Sequence, residues 1–281
     1  MNILVTGSNG YVGNSFINQY KNKYSFEKFS LLNEKLENIS FIDTNIVIHC
    51  AALVHQKVEH PYDKYHEINV EYPVKLAKLA KVNGVKQFIF ISTIAVYGEY
   101  LEKLDENTSC NPITPYGKSK LEAEKQLLKL NDKNFGVSII RPPMIYGKSA
   151  PGNIDSLIKL VKKLPILPLG KIDNKRSFIY IGNICHLVDE IITQEKAGIF
   201  LAADNEPLST SKLIELIAIN LDKNIYLIKI PFFESLLKTV KSSYYKRLYG
   251  SLEVNNAITK EKLNLINPYS VEDGIRLMIK G

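Results

Sequence analysis

The sequence predicts an α/β fold, a doubly wound parallel sheet with a smaller C-terminal lobe. Three observations predict it. Short, continuously apolar runs such as Ile46-Val47-Ile48-His49-Cys50 alternate with helical patterns as far as Ile140, the habit of strands buried on both faces. A glycine-rich turn, Gly7-Ser8-Asn9-Gly10-Tyr11-Val12-Gly13, separates the first run from the first helical pattern. From Pro142 the regularity breaks, because Pro142, Pro143, Pro151, Pro165 and Pro168, with Gly147, Gly152 and Gly170, interrupt the chain to about residue 175.

The elements follow in order. Residues 2–6 read as a strand ending in the glycine turn, and a helical pattern runs from Tyr11 to about Lys21. Phe26 to Leu32 reads as a strand, and Ile46–Cys50 as a buried one followed by Ala51-Ala52. A helix from about Tyr65 to Val82 stops at Gly84, a fitting C-terminal signal. Gln87–Ser92 is the next strand. Thr114 suits a helix N-cap and Pro115 the first helical position, so a helix starts there and runs to about Asn131. Val137–Ile140 is the strand that follows. Phe178 to Thr193 reads as a further strand–helix unit, and Pro231 and Pro268 punctuate a tail of mixed short elements. No internal repeat is visible.

Bulk properties narrow the class. With 281 residues, 45% hydrophobic and 23% charged, the chain has the make-up of an ordinary soluble protein of one large domain or two lobes. No run approaches the roughly 18 apolar residues of a membrane span, and Asn2-Ile3-Leu4-Val5 gives way too soon to Gly7 for a secretory signal. Cys50, Cys110 and Cys185 are isolated and odd in number, which suits buried thiols in a reducing compartment and a cytoplasmic location. The net charge of +7 invites a nucleic-acid reading. Lysines such as Lys75, Lys78 and Lys81, however, lie along surface-helix patterns without interleaved aromatics, so we expect a solvated positive surface and no nucleic-acid partner. Of 36 basic residues only Arg141, Arg176, Arg247 and Arg276 are arginine, and each invites the thought of a planar bidentate contact.

The chemistry starts at Tyr116 and Lys120, four residues apart and therefore on one helix face. A phenol titrates near about 10; an ammonium beside it favours the phenolate, and a nearby hydroxyl can share the moving proton. Ser92 and Thr93 offer that hydroxyl, ambiguous by one position. Such a device interconverts a carbonyl and an alcohol and needs a hydride carrier. The turn at Gly7, Gly10 and Gly13 offers its site, since glycine allows close backbone approach and the helix N-terminus presents free N–H groups to a pyrophosphate.

At this point the chain resembles the extended short-chain dehydrogenase/reductases of the nucleotide-sugar epimerase/dehydratase family. The markers come in order over nearly the whole chain: the glycine turn, His49-Cys50-Ala51-Ala52, Asn69-Val70, Ser92-Thr93 before Val96-Tyr97-Gly98, Tyr116-x-x-x-Lys120, Arg141-Pro142-Pro143 and Arg176-Ser177-Phe178. The resemblance implies a Rossmann domain over residues 1–150 and 178–203, with a nucleotide-sugar-binding lobe over 151–177 and 204–281. It implies Tyr116 as general acid/base, Lys120 lowering its pKa and holding the nicotinamide ribose, and Thr93 as the hydroxyl partner. For NAD(P)(H) it implies contacts from Gly7, Asn9, Gly10, Tyr11, Val12, Gly13, Ala51, Ala52, Asn69, Ser92, Tyr116, Lys120 and Pro142. For a UDP-sugar it implies Thr93, Asn153, Arg176 and Arg247. No metal site is expected. His49 is expected to order its loop, and His55 to face either substrate or solvent. A homodimer through the helices at about 65–82 and 115–131 is the family's habit.

Two departures matter. The interval from Gly13 to His49 is short for the family, so a strand or helix is trimmed there. Phe29-Ser30-Leu31 offers neither the acid of an NAD site nor an arginine for a 2′-phosphate, and Lys28 and Lys35 are not diagnostic, so NAD and NADP stay open. Ile94-Ala95 follow Thr93 where the family's dehydratases carry Asp-Glu, which argues against dehydration. The segments Arg141–Gly147 and Lys171–Phe178 resemble enzymes reducing UDP-4-keto-6-deoxy-N-acetylhexosamines for surface polysaccharides. The alternatives are a UDP-hexose or UDP-N-acetylhexosamine 4-epimerase and, in another class, a non-catalytic dinucleotide sensor.

Overall fold

The computed structural model describes residues 1–30, 36–54, 60–98 and 102–281, apart from the side chains of Glu37, Asn153 and Ser243. Leu31, Leu32, Lys35 and His55 thus lie outside the described residues. Strand β1 (Asn2–Thr6) passes through the glycine turn into α1 (Tyr11–Tyr20), then come β2 (Ser25–Phe29) and β3 (Ile46–His49). A helical run follows, made of α2 (Tyr62–His66), a π turn (Glu67–Glu71) and α3 (Tyr72–Val82), and leads to β4 (Gln87–Ile91). After the two-residue β5 (Lys103–Leu104), α4 (Pro115–Leu128) leads to β6 (Gly136–Arg141). Thr114 caps α4 as expected, its Oγ1 accepting from the Gly117 N–H at 3.1 Å.

The second part is more broken. Here β7 (Met144–Tyr146), α5 (Asn153–Lys163), β8 (Ile166–Leu167), β9 (Phe178–Tyr180), α6 (Ile181–Thr193) and β10 (Gly198–Leu201) follow one another. Then come α7 (Thr210–Asn220), β11 (Tyr226–Leu227), α8 (Phe233–Val240), α9 (Ser242–Tyr249), β12 (Glu253–Val254), α10 (Ala257–Leu263) and α11 (Val271–Lys280).

Six strands form one sheet, parallel throughout, in the order β10-β6-β4-β3-β1-β2. Alternate residues feed opposite cores. Ile3, Val5, Ile46, Ile48 and Ile89 meet α1 and α6, whereas Leu4, Val47, Phe88, Phe90 and Val137 meet α3 and α4. Coverage on both faces is why these strands read as unbroken apolar runs. A third core joins Ile154 of α5, Ile214 and Ile217 of α7 and Ile275 of α11.

From β1 the chain steps outward to β2 and then returns across β1 to β3. The carboxyl ends of β1 and β3 therefore stand side by side at the point where strand order reverses, the usual place for a ligand in such sheets. Between α1 and β3 the described residues hold only β2 and a 3-10 turn at Leu36–Asn38, and β2 is the sheet edge. All three cysteines are free; Cys185 is buried as expected, but Cys50 and Cys110 are only half-buried, because both lie on loops beyond strand ends. Among the described residues no helix is long and apolar enough to cross a membrane.

Candidate active site

The glycine turn is held by contact between the ends of two strands. Gly7 has φ +70°, and a Cβ there would lie 2.6 Å from the Ala51 backbone nitrogen beyond β3. A Cβ on Gly13 would lie 2.6 Å from the Gly7 carbonyl oxygen. Both positions thus exclude any larger residue, and the first turn of α1 sits directly on the loop. Asn9 and Gly10 are exposed at the turn, while Tyr11, Val12, Ala51 and Ala52 are half-buried around it. Among the described residues the Tyr11 hydroxyl is buried without a hydrogen-bond partner.

His49 closes the floor. It is wholly buried, shares a 2.8 Å hydrogen bond between its Nδ1 and Thr6 Oγ1, and stacks on Phe90 with ring centroids 5.7 Å apart. Burial, with the Lys120 charge adding to it, drives its pKa to about 3, so the imidazole is neutral. Asn69 lies in the π turn and is wholly buried. Its Oδ1 accepts from the Leu53 N–H at 2.8 Å, and its Nδ2 donates to the Leu53 carbonyl and to Ser119 Oγ, each at 3.0 Å. The carboxamide is spent on protein, so Asn69 fastens the Ala51-Ala52-Leu53 loop to α4.

The two hydroxyls left ambiguous by sequence take different places. Ser92 is buried and donates to the Glu124 carboxylate. Thr93 lines a cleft of about 590 Å³, and its Oγ1 accepts from the Ala95 N–H at 3.2 Å, capping the Ile94–Tyr97 turn. That turn touches α4 closely, since a Cβ on Gly117 would lie 2.7 Å from the Ala95 carbonyl oxygen. The Ile94 N–H donates to the Pro142 carbonyl at 3.0 Å, which ties the turn to the end of β6.

Tyr116 is half-buried in the first turn of α4, and Lys120 is completely buried one turn later. The Lys120 Nζ sits 3.7 Å from the Phe90 ring centroid and has no hydrogen-bond partner among the described residues. Here the structure departs from the expectation that Lys120 lowers the Tyr116 pKa. Burial pushes the phenol up to about 12, and burial likewise pushes the ammonium down to about 7, against the pull of Glu124 and Cys50. Desolvation sets both shifts: it acts alone on the Tyr116 phenol, and at Lys120 it outweighs the pull of Glu124 and Cys50.

Sequence reasoning missed Glu124. Almost fully buried, it takes a forked contact from Arg141, with Nε at 3.1 Å and Nη2 at 2.5 Å, while Arg141 Nη1 donates to the Tyr97 hydroxyl at 2.8 Å. The only advance signals were its spacing four residues beyond Lys120 and the rarity of arginine.

Arg176 and Arg247 line the cleft that holds Thr93. Arg176 Nη1 donates to the Gly250 carbonyl at 3.1 Å, and burial followed by the Arg247 charge holds its pKa below the usual guanidinium range. Two positive groups pressed together beside a cleft suit a dianionic diphosphate. Asn153 opens α5; its side chain lies outside the described residues.

Comparison with known proteins shows the family to which this chain belongs. The NAD dependent epimerase/dehydratase family profile matches residues 3–202, and the chain belongs to that family. A UDP-glucose 4-epimerase of Vibrio cholerae is 35% identical over an alignment covering 98% of this chain and 93% of that one. An N-acetyl-alpha-D-glucosaminyl-diphospho-ditrans,octacis-undecaprenol 4-epimerase of Escherichia coli O157:H7 is 30% identical over 64% of this chain and 56% of its own. The crystal structure of UDP-glucuronic acid 4-epimerase from Bacillus cereus in complex with NAD superposes with a TM-score of 0.78 over 99% of this chain and 97% of that one, at 19% identity, a likeness of fold. The protein is thus an enzyme of a nicotinamide-dependent family. The cradle that a Cβ would fill and the unpartnered Lys120 ammonium both fit such a dinucleotide.

Proposed function

We propose that this member of the NAD dependent epimerase/dehydratase family inverts C4 of a hexose carried on a diphosphate, with a UDP-hexose or UDP-N-acetylhexosamine as substrate. The observation that carries the reading is the cleft lined by Thr93, Arg176 and Arg247, closed on one side by the turn against which α4 packs. The two named curated relatives support it, since both are 4-epimerases of sugars joined to a diphosphate.

The residues divide the work. Arg176 and Arg247 hold the diphosphate. Gly7, Gly10, Gly13 and the Ala51-Ala52 loop hold the dinucleotide, and Lys120 hydrogen-bonds its nicotinamide ribose. When bound, a nicotinamide would supply reversible hydride exchange at C4. Tyr116 Oη takes the proton of the C4 hydroxyl, Thr93 Oγ1 shares the hydrogen bond, and the same phenol returns the proton to the ketone. With a bound polyhydroxylated ligand filling the pocket, Lys120 gains the partners it lacks, and its charge then favours the Tyr116 phenolate. Turning the ketone over in the cleft before the proton is returned would give the epimer. Two molecules pair through α3 and α4 in this reading, which sedimentation equilibrium tests.

Net reduction of a UDP-4-keto-6-deoxy-N-acetylhexosamine uses the same residues, and the Arg141–Gly147 and Lys171–Phe178 segments favour it. One assay separates the two. The purified enzyme is given UDP-glucose, UDP-N-acetylglucosamine or a UDP-4-keto sugar, while nicotinamide absorbance is followed and the sugars are separated. Epimerisation interconverts two sugars with no net change in absorbance; reduction consumes cofactor stoichiometrically. Tyr116→Phe should lower either activity by about 100-fold or more. Turnover within a few-fold of wild type would remove Tyr116 from the mechanism.

A further inference from the structure

Helix α8 is apolar on two sides. A helix lying on a protein surface needs one apolar stripe, and Phe233 and Leu237 supply it, half-buried against the third core in the case of Phe233. A second stripe points away. Phe232, Leu236 and Val240, spaced four apart, are 85%, 61% and 67% exposed, and beyond the break at Lys241 Tyr244 of α9 is 54% exposed. The row has a neighbour on the same lobe: Tyr226, Ile228 and Ile230 alternate outward on the strand and segment before it, and Tyr226 pairs with the exposed Ile166 of β8. An apolar surface of this extent seldom faces water unless it meets something.

Charge says what it meets. Residues 226–249 carry five basic groups, Lys229, Lys238, Lys241, Lys246 and Arg247, against one acid, Glu234. Lys238 and Lys241 lie beside the apolar row, their ammonium groups 5.6 and 5.4 Å from the Tyr245 and Tyr244 ring centroids. Exposed phenylalanine, leucine and tyrosine with lysines along the flank, whose stems reach past apolar surface to place charge at headgroup level, match an anionic bilayer surface. A second copy of the chain would bring the same five-to-one excess of positive charge against itself.

We propose that the outward row of α8 and α9 seats the protein on an anionic lipid bilayer. The seat adjoins the substrate site. Tyr244 and Arg247 both line an apolar groove that Arg176 also borders, so the row leads to the mouth of the cleft. The inference rests on the proposed function only in taking that cleft as the place of the substrate, and lipid binding is measured without substrate.

The test is co-sedimentation of the full chain with phosphatidylcholine vesicles, with and without phosphatidylglycerol, at low and high salt. The protein should pellet with the anionic vesicles and be released by salt. Leu236→Asp should weaken pelleting about tenfold or more, as should Lys238→Glu combined with Lys241→Glu, with helix content and turnover of a soluble UDP-sugar unchanged. Tyr116→Phe should pellet like wild type while losing turnover, which separates failure of the seat from failure of the proposed reaction. Wild type remaining in the supernatant, or Leu236→Asp pelleting as wild type does, overturns the proposal. So does a dimer that Leu236→Asp splits without any lipid binding, which would make a second copy the occupant.

Discussion

Replacing Lys120 by methionine should make the protein more stable and inactive at once. The ammonium is completely buried, lies over Phe90, and has no hydrogen-bond partner among the described residues. Burial takes its pKa from 10.5 to about 7. That fall in proton affinity, at about 1.4 kcal/mol for each factor of ten, puts a ceiling near 5 kcal/mol on the cost of folding with this lysine. Methionine keeps the length of the stem and lays a polarizable sulfur against Phe90. Allowing for relaxation around the charge, we expect a gain of about 2–4 kcal/mol at neutral pH. The sign with pH follows from proton counts. Between about 7 and 10.5 the unfolded chain binds more protons at this position than the folded one, so this group makes wild-type stability rise with pH across that window. The advantage of Lys120→Met is therefore greatest at and below neutral pH and shrinks toward pH 10.5. Urea unfolding followed by circular dichroism at two pH values measures it, alongside turnover. A variant less stable than wild type at neutral pH, or a difference that does not change with pH, would refute the reasoning.

Three other outcomes are expected. Arg141→Met leaves the Glu124 carboxylate buried without its forked partner and should cost about 3–5 kcal/mol in urea unfolding, partly recovered by adding Glu124→Leu; a loss below about 1 kcal/mol would speak against the pair. Gly13→Ala forces a Cβ against the Gly7 carbonyl and should weaken dinucleotide binding about tenfold or more by calorimetry, where unchanged affinity would remove the cradle. Arg247→Ala should raise KM for a diphospho-sugar by about 10–100-fold while kcat moves less, and a fall confined to kcat would place Arg247 elsewhere in the mechanism.

The parts of the molecule legible in sequence are those ruled by a short period. Phe88, Ile89, Phe90 and Ile91 read as a strand because both faces of the sheet are covered, and Tyr116 and Lys120 read as a pair because a helix turn joins them. What escapes depends on partners distant along the chain. Glu124 sits in Leu121-Glu122-Ala123-Glu124-Lys125, which looks like a solvated helix face until β6 brings Arg141 across it. The helix after the Ala51-Ala52 loop starts at Tyr62, three residues before the sequence expectation, behind Pro61 at its N-cap. The direction of the Tyr116 shift escapes for a related reason: proximity of charge is visible in spacing, whereas burial of both groups emerges only from packing.

The π turn at Glu67–Glu71 has a consequence for the register of the helical run around it. It adds one residue to the turn, and one residue in an α-helix is about 100° of rotation. Upstream, Tyr62 and His66 reach Glu122 on α4; within the turn, Asn69 reaches Ser119; downstream, Val74, Leu76 and Ala77 enter the core. The insertion thus works as a phase adjuster between two helices whose contact faces would otherwise fall out of step. Removing any one residue there would restore regular hydrogen bonding and swing the upstream helix away from Glu122. Length in this stretch is thus constrained alongside the identity of Asn69.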